Sequence, residues 1–385
     1  MKKFIIFISI AFFILLPLTL CSGNKTDSYE TALTPETEKH EEKISFLAVG
    51  DNIIHSAVYT DAKAENGYDF SKMYSHVKNI ISSADIAFIN QETVCSGKAV
   101  SGYPLFCTPD EIADDLVKVG FDVINIASNH MLDGDIDGDG SGLCHAINLW
   151  QKKDVLMTGG YLSEADSQIP RKICKGNIEI SFLSYTYGTN IEAGENFPLY
   201  IPYINEEKME RDIKNAADVS DFVIVSVHWG EENSKEPTTE QRQLAKKMAE
   251  WGADAIIGHH SHTLQSVETI EARGKKTIVA YSLGNFLSAQ TKAQNLVGGI
   301  FGFDIVKDEK GTRWENVSLI PTVCHYGFPS SDDISTRGNI TIYPLYQYTK
   351  ELCADHGANA YGKVTLDMLY GCASAFTLDN QAYSK

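Results

Sequence analysis

Positive charge is scarce in this sequence. Its 385 residues carry 33 lysines and arginines against 51 aspartates and glutamates, a formal net charge of −18. Such a surface repels nucleic acid and acidic lipid head groups wherever no metal ion intervenes, and it does not attract a polyanion either. No Cys-x-x-Cys pair occurs, which argues against a structural zinc ribbon. No internal repeat is found, which sets repeat architectures aside. The N-terminal apolar run, Phe4 to Leu16, is shorter than the ~20 residues that span a bilayer. Hydrophobic residues make up 43%, ample for a real core, and the length fits one large or two modest domains.

Lys2 and Lys3 ahead of the apolar run give residues 1–21 the layout of a secretory signal. Leu18-Thr-Leu-Cys21 resembles a bacterial lipobox, in which the cysteine is lipidated, although Leu20 stands where a small residue is usual. The alternative is an uncleaved anchor helix. Both place the body on the extracytoplasmic face of the membrane, tethered to it. Residues 22–43 are polar and charged and read as a flexible spacer. Outside the membrane disulfides are permitted. Cys95 with Cys107 is the first pairing to expect and Cys353 with Cys372 the second. Seven cysteines follow Cys21, an odd number, so at least one thiol stays free or pairs between chains.

From Ile44 the pattern changes. Apolar runs at 44–49, 85–90, 122–127, 178–185, 221–227 and 253–257 read as strands, with later strands at 277–282, 300–306 and 314–320. Helical spacing covers 71–83, 109–119, 141–153, 206–219 and 238–251, and Thr108 followed by Pro109 reads as a helix start. Alternating strands and helices with near-continuous apolar strands imply an α/β fold with mainly parallel sheet and covered faces. The closing strands suggest a partly antiparallel second sheet. This body spans 44–321, and residues 322–385 form an extension without a legible pattern.

The strand ends carry the chemistry, as open α/β sheets usually arrange. They deliver Asp51, Glu92, Asn129 with His130 and Asp133, His228 with Glu231, and the run Gly258-His259-His260-Ser261-His262. A further strand ends in Asn285. Any one of these polar residues is ordinary in a loop. Their recurrence at successive strand ends is not. Carboxylates, an amide and imidazoles form a mixed oxygen and nitrogen donor set that suits manganese, iron, zinc or magnesium. Two divalent ions about 3.5–4 Å apart, bridged by a carboxylate, would activate a water and clamp a phosphoryl or acyl oxygen. Asp135-Ile-Asp137-Gly-Asp139-Gly140 has the spacing of a calcium-loop start, but Ala146 stands where the closing glutamate belongs, so it reads as an acidic surface loop. His40, His76, His145, His325 and His356 lack a strand-end setting and read as structural or surface residues.

In order and spacing, Gly50-Asp51, Asn90-Gln91-Glu92-Thr93, Ser128-Asn129-His130-Met131-Leu132-Asp133, His228-Trp229-Gly230-Glu231, Gly258 to His262 and Tyr281 to Phe286 resemble the CapA family of capsule-synthesis proteins. That family is linked to poly-γ-glutamate capsules and is similar in fold to calcineurin-like metallophosphoesterases. The resemblance implies a layered α/β/β/α sandwich with mixed, largely parallel sheets. It implies that Asp51 and His262 hold a first ion, that Glu92 bridges, and that Asn129, His228 and His260 hold a second. His130 would act as general acid or as a clamp on developing negative charge, with Asp133 orienting it. His55, Glu231, His259 and Asn285 remain as candidates for contact with substrate. Two positions depart from the phosphoesterase pattern. Asn52-Ile53 follows Asp51 where Asp-x-His is usual, leaving the first ion one histidine short, and Glu92 stands in place of aspartate. The activity implied is a metal-dependent hydrolase or transferase working on an envelope or capsule polymer. The alternatives are a non-catalytic subunit of a membrane synthase-exporter and a general envelope phosphoesterase.

Overall fold

The run read as a strand at 44–49 is longer in the computed structural model, which describes residues 41–327 and 336–379. It forms β1 (Glu42–Asn52), because partners on both sides satisfy its backbone: β2 (Ile86–Gln91) in parallel and β12 (Val297–Asp308) antiparallel. Glu42 and Lys43, expected at the end of a spacer, are the first residues of this strand. The signal, lipid-attachment and anchor expectations for residues 1–40 lie outside the described residues. Among the described residues no helix is long and apolar enough to cross a membrane.

Two sheets form. The first runs β14 (Thr341–Pro344), β13 (Gly311–His325), β12, β1, β2, β3 (Val123–Asn125), β4 (Leu156–Thr158), with β11 (Asn285–Leu287) pairing in parallel with the end of β1. The second runs β5 (Arg171–Lys175), β6 (Ile178–Thr186), β7 (Phe222–His228), β8 (Ala255–His259), β10 (Lys275–Ala280), β9 (Val267–Ala272). The closing strands thus do not make a second sheet of their own: β10, from the run at 277–282, joins the second sheet, while β12, β13 and β14 extend the first, each antiparallel to its neighbour. The chain changes sheet between β4 and β5, a step that local periodicity does not report.

Alternation along the strands builds the layers. Phe46 of β1 faces Phe182 of β6 at 6.4 Å between ring centroids, and Phe222 of β7 meets Phe303 of β12 at 6.0 Å, so one face of each sheet is buried against the other. The opposite face of β7, with Val223, Val225 and Val227, packs on Met209 and Ile213 of the helix Glu206–Val219 and on Met248 of the helix Thr239–Trp251. Ile112, Leu116 and Val119 of the helix Glu111–Val119 and Leu143, Ile147 and Trp150 of the helix Ser141–Gln151 join the core that holds the first sheet. Each such buried large side chain contributes about 1.5–3 kcal/mol relative to exposure. The result is an α/β fold of two mixed sheets with helices outside them.

Three local expectations change. The helix expected over 71–83 is a 3-10 turn, Ser71–Tyr74, and a short helix, Lys78–Ile81. Tertiary bonds override its periodicity: Tyr74 donates its hydroxyl to Asn52 Oδ1 (2.8 Å), and the His76 ring stacks on Tyr343. Thr108 does not cap a helix. Its hydroxyl donates to Thr93 Oγ1 (2.8 Å), and the helix starts at Glu111. Neither expected disulfide forms, and all seven described cysteines are free thiols. The loop from Cys95 to Cys107 is closed instead by backbone bonds between Ser101 and Cys107, and the Cys107 thiol pairs with Ser96 Oγ and Lys98 O. The acidic loop before the helix Ser141–Gln151 serves as its cap: Asp135 accepts the Gly142 and Leu143 N–H groups at 2.7 and 2.8 Å.

The extension beyond Pro321 packs into the same unit as the body. β13 runs through Pro321 to His325, β14 pairs with it, and Leu378 bridges to Val267. His356, fully buried, accepts the Ala358 N–H at Nδ1 (3.1 Å) and faces the His325 ring at 5.1 Å. Burial, with a lesser push from His325, lowers the His356 imidazole to about 3. A histidine with a depressed folded value contributes stability that is present above its ordinary range and lost as pH falls toward that value. Acidification from 6.5 toward 4 should therefore loosen the 350–379 segment. Hydrogen exchange there should rise with acid and flatten in His356→Gln.

Candidate metal centre

Two close approaches set the ends of β1 and β8. A Cβ on Gly50 would lie 1.9 Å from Gly284 O, and one on Gly258 would lie 1.9 Å from Tyr281 O. Only glycine lets β11 lie against β1 there, with the Asp51 N–H donating to Gly284 O (2.8 Å) and the Ile53 N–H to Leu287 O (2.8 Å). Gly50→Ala should lower stability by about 3 kcal/mol, read as an earlier midpoint in urea unfolding.

The two sheets pack face to face, and the predicted side chains converge at their carboxyl ends from both. The strand ends that carry them belong to both sheets: Asp51, Glu92 and the Asn129 loop come from the first, and His228 and the histidine run from the second. Asp51 accepts from Asn90 Nδ2 (2.8 Å) and from the His260 N–H (3.3 Å), and it pairs with His262 Nδ1 at 3.1 Å. His228 Nε2 meets Asn129 Oδ1 at 2.9 Å, and its ring lies 4.8 Å from that of His260. Ligand atoms of Asp51, Glu92 and His228 all lie within 4.8 Å of one another.

His260 and His262 both take left-handed backbone angles, φ 93° and 57°. Such angles are costly for side chains of this shape, on the order of 1 kcal/mol or more each. The turn is held by its surroundings. The Asn233 N–H donates to Ser261 O (2.7 Å), Ser261 Oγ to Thr263 O (2.9 Å), and Asn295 Nδ2 to His262 O (3.0 Å).

Electrostatics leave one carboxyl over. Burial alone would raise Asp51, but bonds from His259 and His262 outweigh it and hold its carboxyl well below the usual range. Burial would lower His262, but Glu92 and Asp51 push it up to about 9. These two form the charged pair. Glu92 is buried with neither carboxylate oxygen hydrogen-bonded, and burial raises it well above the usual range. His228 Nδ1 and His260 Nδ1 are likewise buried without partners. Burial lowers His228 well below the ordinary imidazole value and takes His260 to about 4, so both are neutral and able to donate lone pairs near neutral pH. Buried unpaired polar atoms cost about 1–3 kcal/mol each. A divalent ion among Asp51, Glu92, Asn129, His228, His260 and His262 would satisfy them, so these donors fit one.

His130 lies at the rim. Its Nδ1 is 2.7 Å from Asp133 Oδ2, which also accepts the Phe106 N–H (2.8 Å). The Phe106 ring stands edge-on to it at 4.7 Å. Asn190, unremarked in the sequence, touches both partners: its Nδ2 is 3.2 Å from His130 Nδ1 and its Oδ1 accepts from Asn129 Nδ2 (3.3 Å). It lies four residues beyond the end of β6, past Thr186, outside any run that periodicity marks.

The candidates for substrate contact divide. His55 spends Nδ1 on the Ala289 N–H (3.2 Å) and borders an open hollow of about 450 Å³ with Tyr103, Glu232 and Lys292. His259 and Asn285 reach no solvent. His259 stacks on Phe88 at 5.9 Å and sits 3.3 Å from Asp51 Oδ1, while Asn285 donates to Gln290 and Asn295 beside Asp51. His259 Nε2 and Asn285 Oδ1 are buried without hydrogen-bond partners, as Glu92 is. Glu231 borders a different hollow, with Gln241 and Leu244. Its neighbour Glu232 is the carboxylate that reaches the imidazoles, within 4.8 Å of ligand atoms of His260 and His262.

Residues 45–290 match the family described as Bacterial capsule synthesis protein PGA_cap. The chain belongs to this family. Within PGA_cap's relatives, it is 31% identical over 233 residues to the PGA biosynthesis protein CapA of Bacillus subtilis, covering 58% of this chain and 56% of that one. It is 27% identical over 271 residues to the capsule biosynthesis protein CapA of Bacillus anthracis, covering 67% and 63%. The matches thus span less than two thirds of either relative's length. Among solved structures, a phosphatase from Mycoplasma pneumoniae aligns with a TM-score of 0.46 at 16% identity, over 73% of this chain and 94% of that one. The 5'-nucleotidase of Candida albicans aligns with a TM-score of 0.39 at 11% identity, over 86% and 58%. The PGA_cap match ends beyond Asn285, so every strand-end cluster described above falls inside it.

Proposed function

We propose that this PGA_cap chain is a metal-dependent hydrolase or transferase of capsule-polymer production, working at the extracytoplasmic face of the membrane. The carrying observation is the buried Glu92 carboxylate, without a hydrogen bond, beside Asp51 of its own sheet and among imidazoles arriving from the other sheet. Asp51, Glu92 and His262 would hold one divalent ion, and Asn129, His228 and His260 with Glu92 a second. Manganese, iron, zinc and magnesium all suit such donors. When bound, the ions would supply Lewis acidity toward a phosphoryl or acyl oxygen and an activated water. His130 would hold a proton for the leaving group, kept in place by Asp133 and Asn190. Poly-γ-glutamate or another envelope polymer is the proposed substrate, and a lipid or helical N-terminal anchor would keep the site beside a membrane synthase. The test is metal content of the purified chain together with turnover of a generic phosphodiester and a γ-glutamyl peptide. Bound metal with turnover of either is expected, and absence of both would refute the reading.

One observation favours a non-catalytic, accessory role. Ile53, buried at 2% exposure, offers no donor where a second β1 ligand would stand. Asp51→Asn and His130→Ala separate the two readings. Capsule output that survives both substitutions would assign the chain to the accessory role.

A further inference from the structure

The loop after β7 holds a carboxylate that no structural task explains. Among the described residues no hydrogen bond or ion pair engages Glu232, and the residue is exposed. Yet its path is fixed. Gly230 and Asn233 take φ of 86° and 63°, angles that most side chains resist. The loop is latched to the histidine turn at three points: the Asn233 N–H to Ser261 O (2.7 Å), Thr263 Oγ1 to Ser234 O (2.5 Å) and Gln265 Nε2 to Ser234 O (3.0 Å). A glutamate kept only for solubility needs no such latch. The outcome is that Glu232, and not Glu231, brings a carboxylate oxygen within 4.8 Å of ligand atoms of both His260 and His262. In the same cluster, His260 Nδ1 is buried and unpartnered.

On the other side of the centre, β1 is one donor short, since Ile53 packs into the interior where it can coordinate nothing. We propose that Glu232 makes good this deficit as a metal ligand, reaching across from the second sheet to the ion faced by Asp51 and His262. The inference rests on the metal-centre reading above and adds a ligand to it. Its chemical consequence is a donor set of three carboxylates, Asp51, Glu92 and Glu232, with imidazole. Oxygen-rich sets favour hard cations, so the ion held by Glu232 is Mn²⁺ or Mg²⁺ in preference to Zn²⁺. Glu232 also borders the 450 Å³ hollow with His55, Tyr103 and Lys292. A substrate entering there passes this ligand first.

The experiment is calorimetric titration of Mn²⁺, Mg²⁺ and Zn²⁺, each separately, into the full chain stripped with EDTA, for the wild type, Glu232→Gln, Glu231→Gln and Glu232→His. Glu232 is exposed, so its variants should fold, and circular dichroism checks that. The wild type should bind two ions. Glu232→Gln should bind one of them at least ~10-fold more weakly, Glu231→Gln should match the wild type, and Glu232→His should regain affinity for Zn²⁺ more than for Mn²⁺. Two ions bound by Glu232→Gln with wild-type affinity would overturn the proposal, as would an equal loss in Glu231→Gln. A wild-type chain that binds no Mn²⁺, Mg²⁺ or Zn²⁺ would overturn the metal centre itself, a result distinct from an unchanged variant.

Discussion

Glu92→Gln is expected to make the metal-free protein more stable while abolishing its stabilisation by metal. The carboxylate is buried, lacks any hydrogen bond, and has His262 as its nearest cation, at 3.8 Å. That imidazole is already paired more closely with Asp51, at 3.1 Å. A buried carboxyl with no hydrogen bond and its counter-charge 3.8 Å away is costly to ionise, and a neutral amide in its place should return about 2 kcal/mol once pH has passed the ordinary carboxyl range. The sign can be checked by pH. Glu92 has a folded value raised above its unfolded one, so the stability it contributes is present below the ordinary carboxyl range and is lost as pH rises through the folded value. In EDTA, the advantage of Glu92→Gln over the wild type should therefore widen from pH 4.5 upward. With Mn²⁺ the order should reverse. Free ion at a hundred times its dissociation constant stabilises the wild type by about 2.7 kcal/mol, and the variant should gain far less. Thermal unfolding with EDTA and with Mn²⁺ measures both halves. A variant no more stable than the wild type in EDTA would mean that Glu92 is satisfied by some other group.

That cost explains why the site was more legible in the sequence than the fold around it. Strand ends with Asp51, Glu92, Asn129, His228 and His260 stand out because each follows an apolar run that has no use for them, and the structure gathers all five at one place. The fold's layers were legible through β1, β2, β7 and β8, whose apolar runs are nearly continuous. What escaped was whatever depended on partners remote in the chain. The change of sheet between β4 and β5 leaves no local mark. β9 and β11 are short and half polar, and β11 exists only because Gly50 allows it to touch β1. Thr108 reads as a cap from its neighbours but bonds to Thr93, fifteen residues back. Glu231 and Glu232 are adjacent and chemically alike. The left-handed residues Gly230 and Asn233 and the latches from this loop to the histidine turn, which no periodicity encodes, accompany the placement of Glu232 beside the histidines.

His130→Gln should separate chemistry from metal binding. The His130 ring is held at Nδ1 by Asp133 at 2.7 Å and braced edge-on by Phe106, and Nε2, with the Asn190 amide no nearer than 3.5 Å, is the nitrogen that would meet a ligand. An imidazole restrained in this way loses little freedom when it moves a proton. Positioned proton transfer contributes about 10²–10⁴-fold to rate, and kcat should fall by that factor in His130→Gln. Metal content should not change, since Asp51, Glu92, Asn129, His228, His260 and His262 are intact. Asp133→Asn leaves the imidazole in place but replaces the acceptor at Nδ1, and it should lose a smaller factor in kcat with KM nearly constant. Asn190→Ala tests the other contact, and because Asn190 also reaches Asn129, it should lower both kcat and Mn²⁺ affinity. The three variants thus differ in how far kcat falls and in whether metal affinity falls with it. Loss of metal in His130→Gln would make the imidazole a ligand rather than a proton carrier. An unchanged rate in His130→Gln, with metal bound and turnover intact, would remove His130 from the chemistry altogether and leave the leaving group to be protonated by solvent.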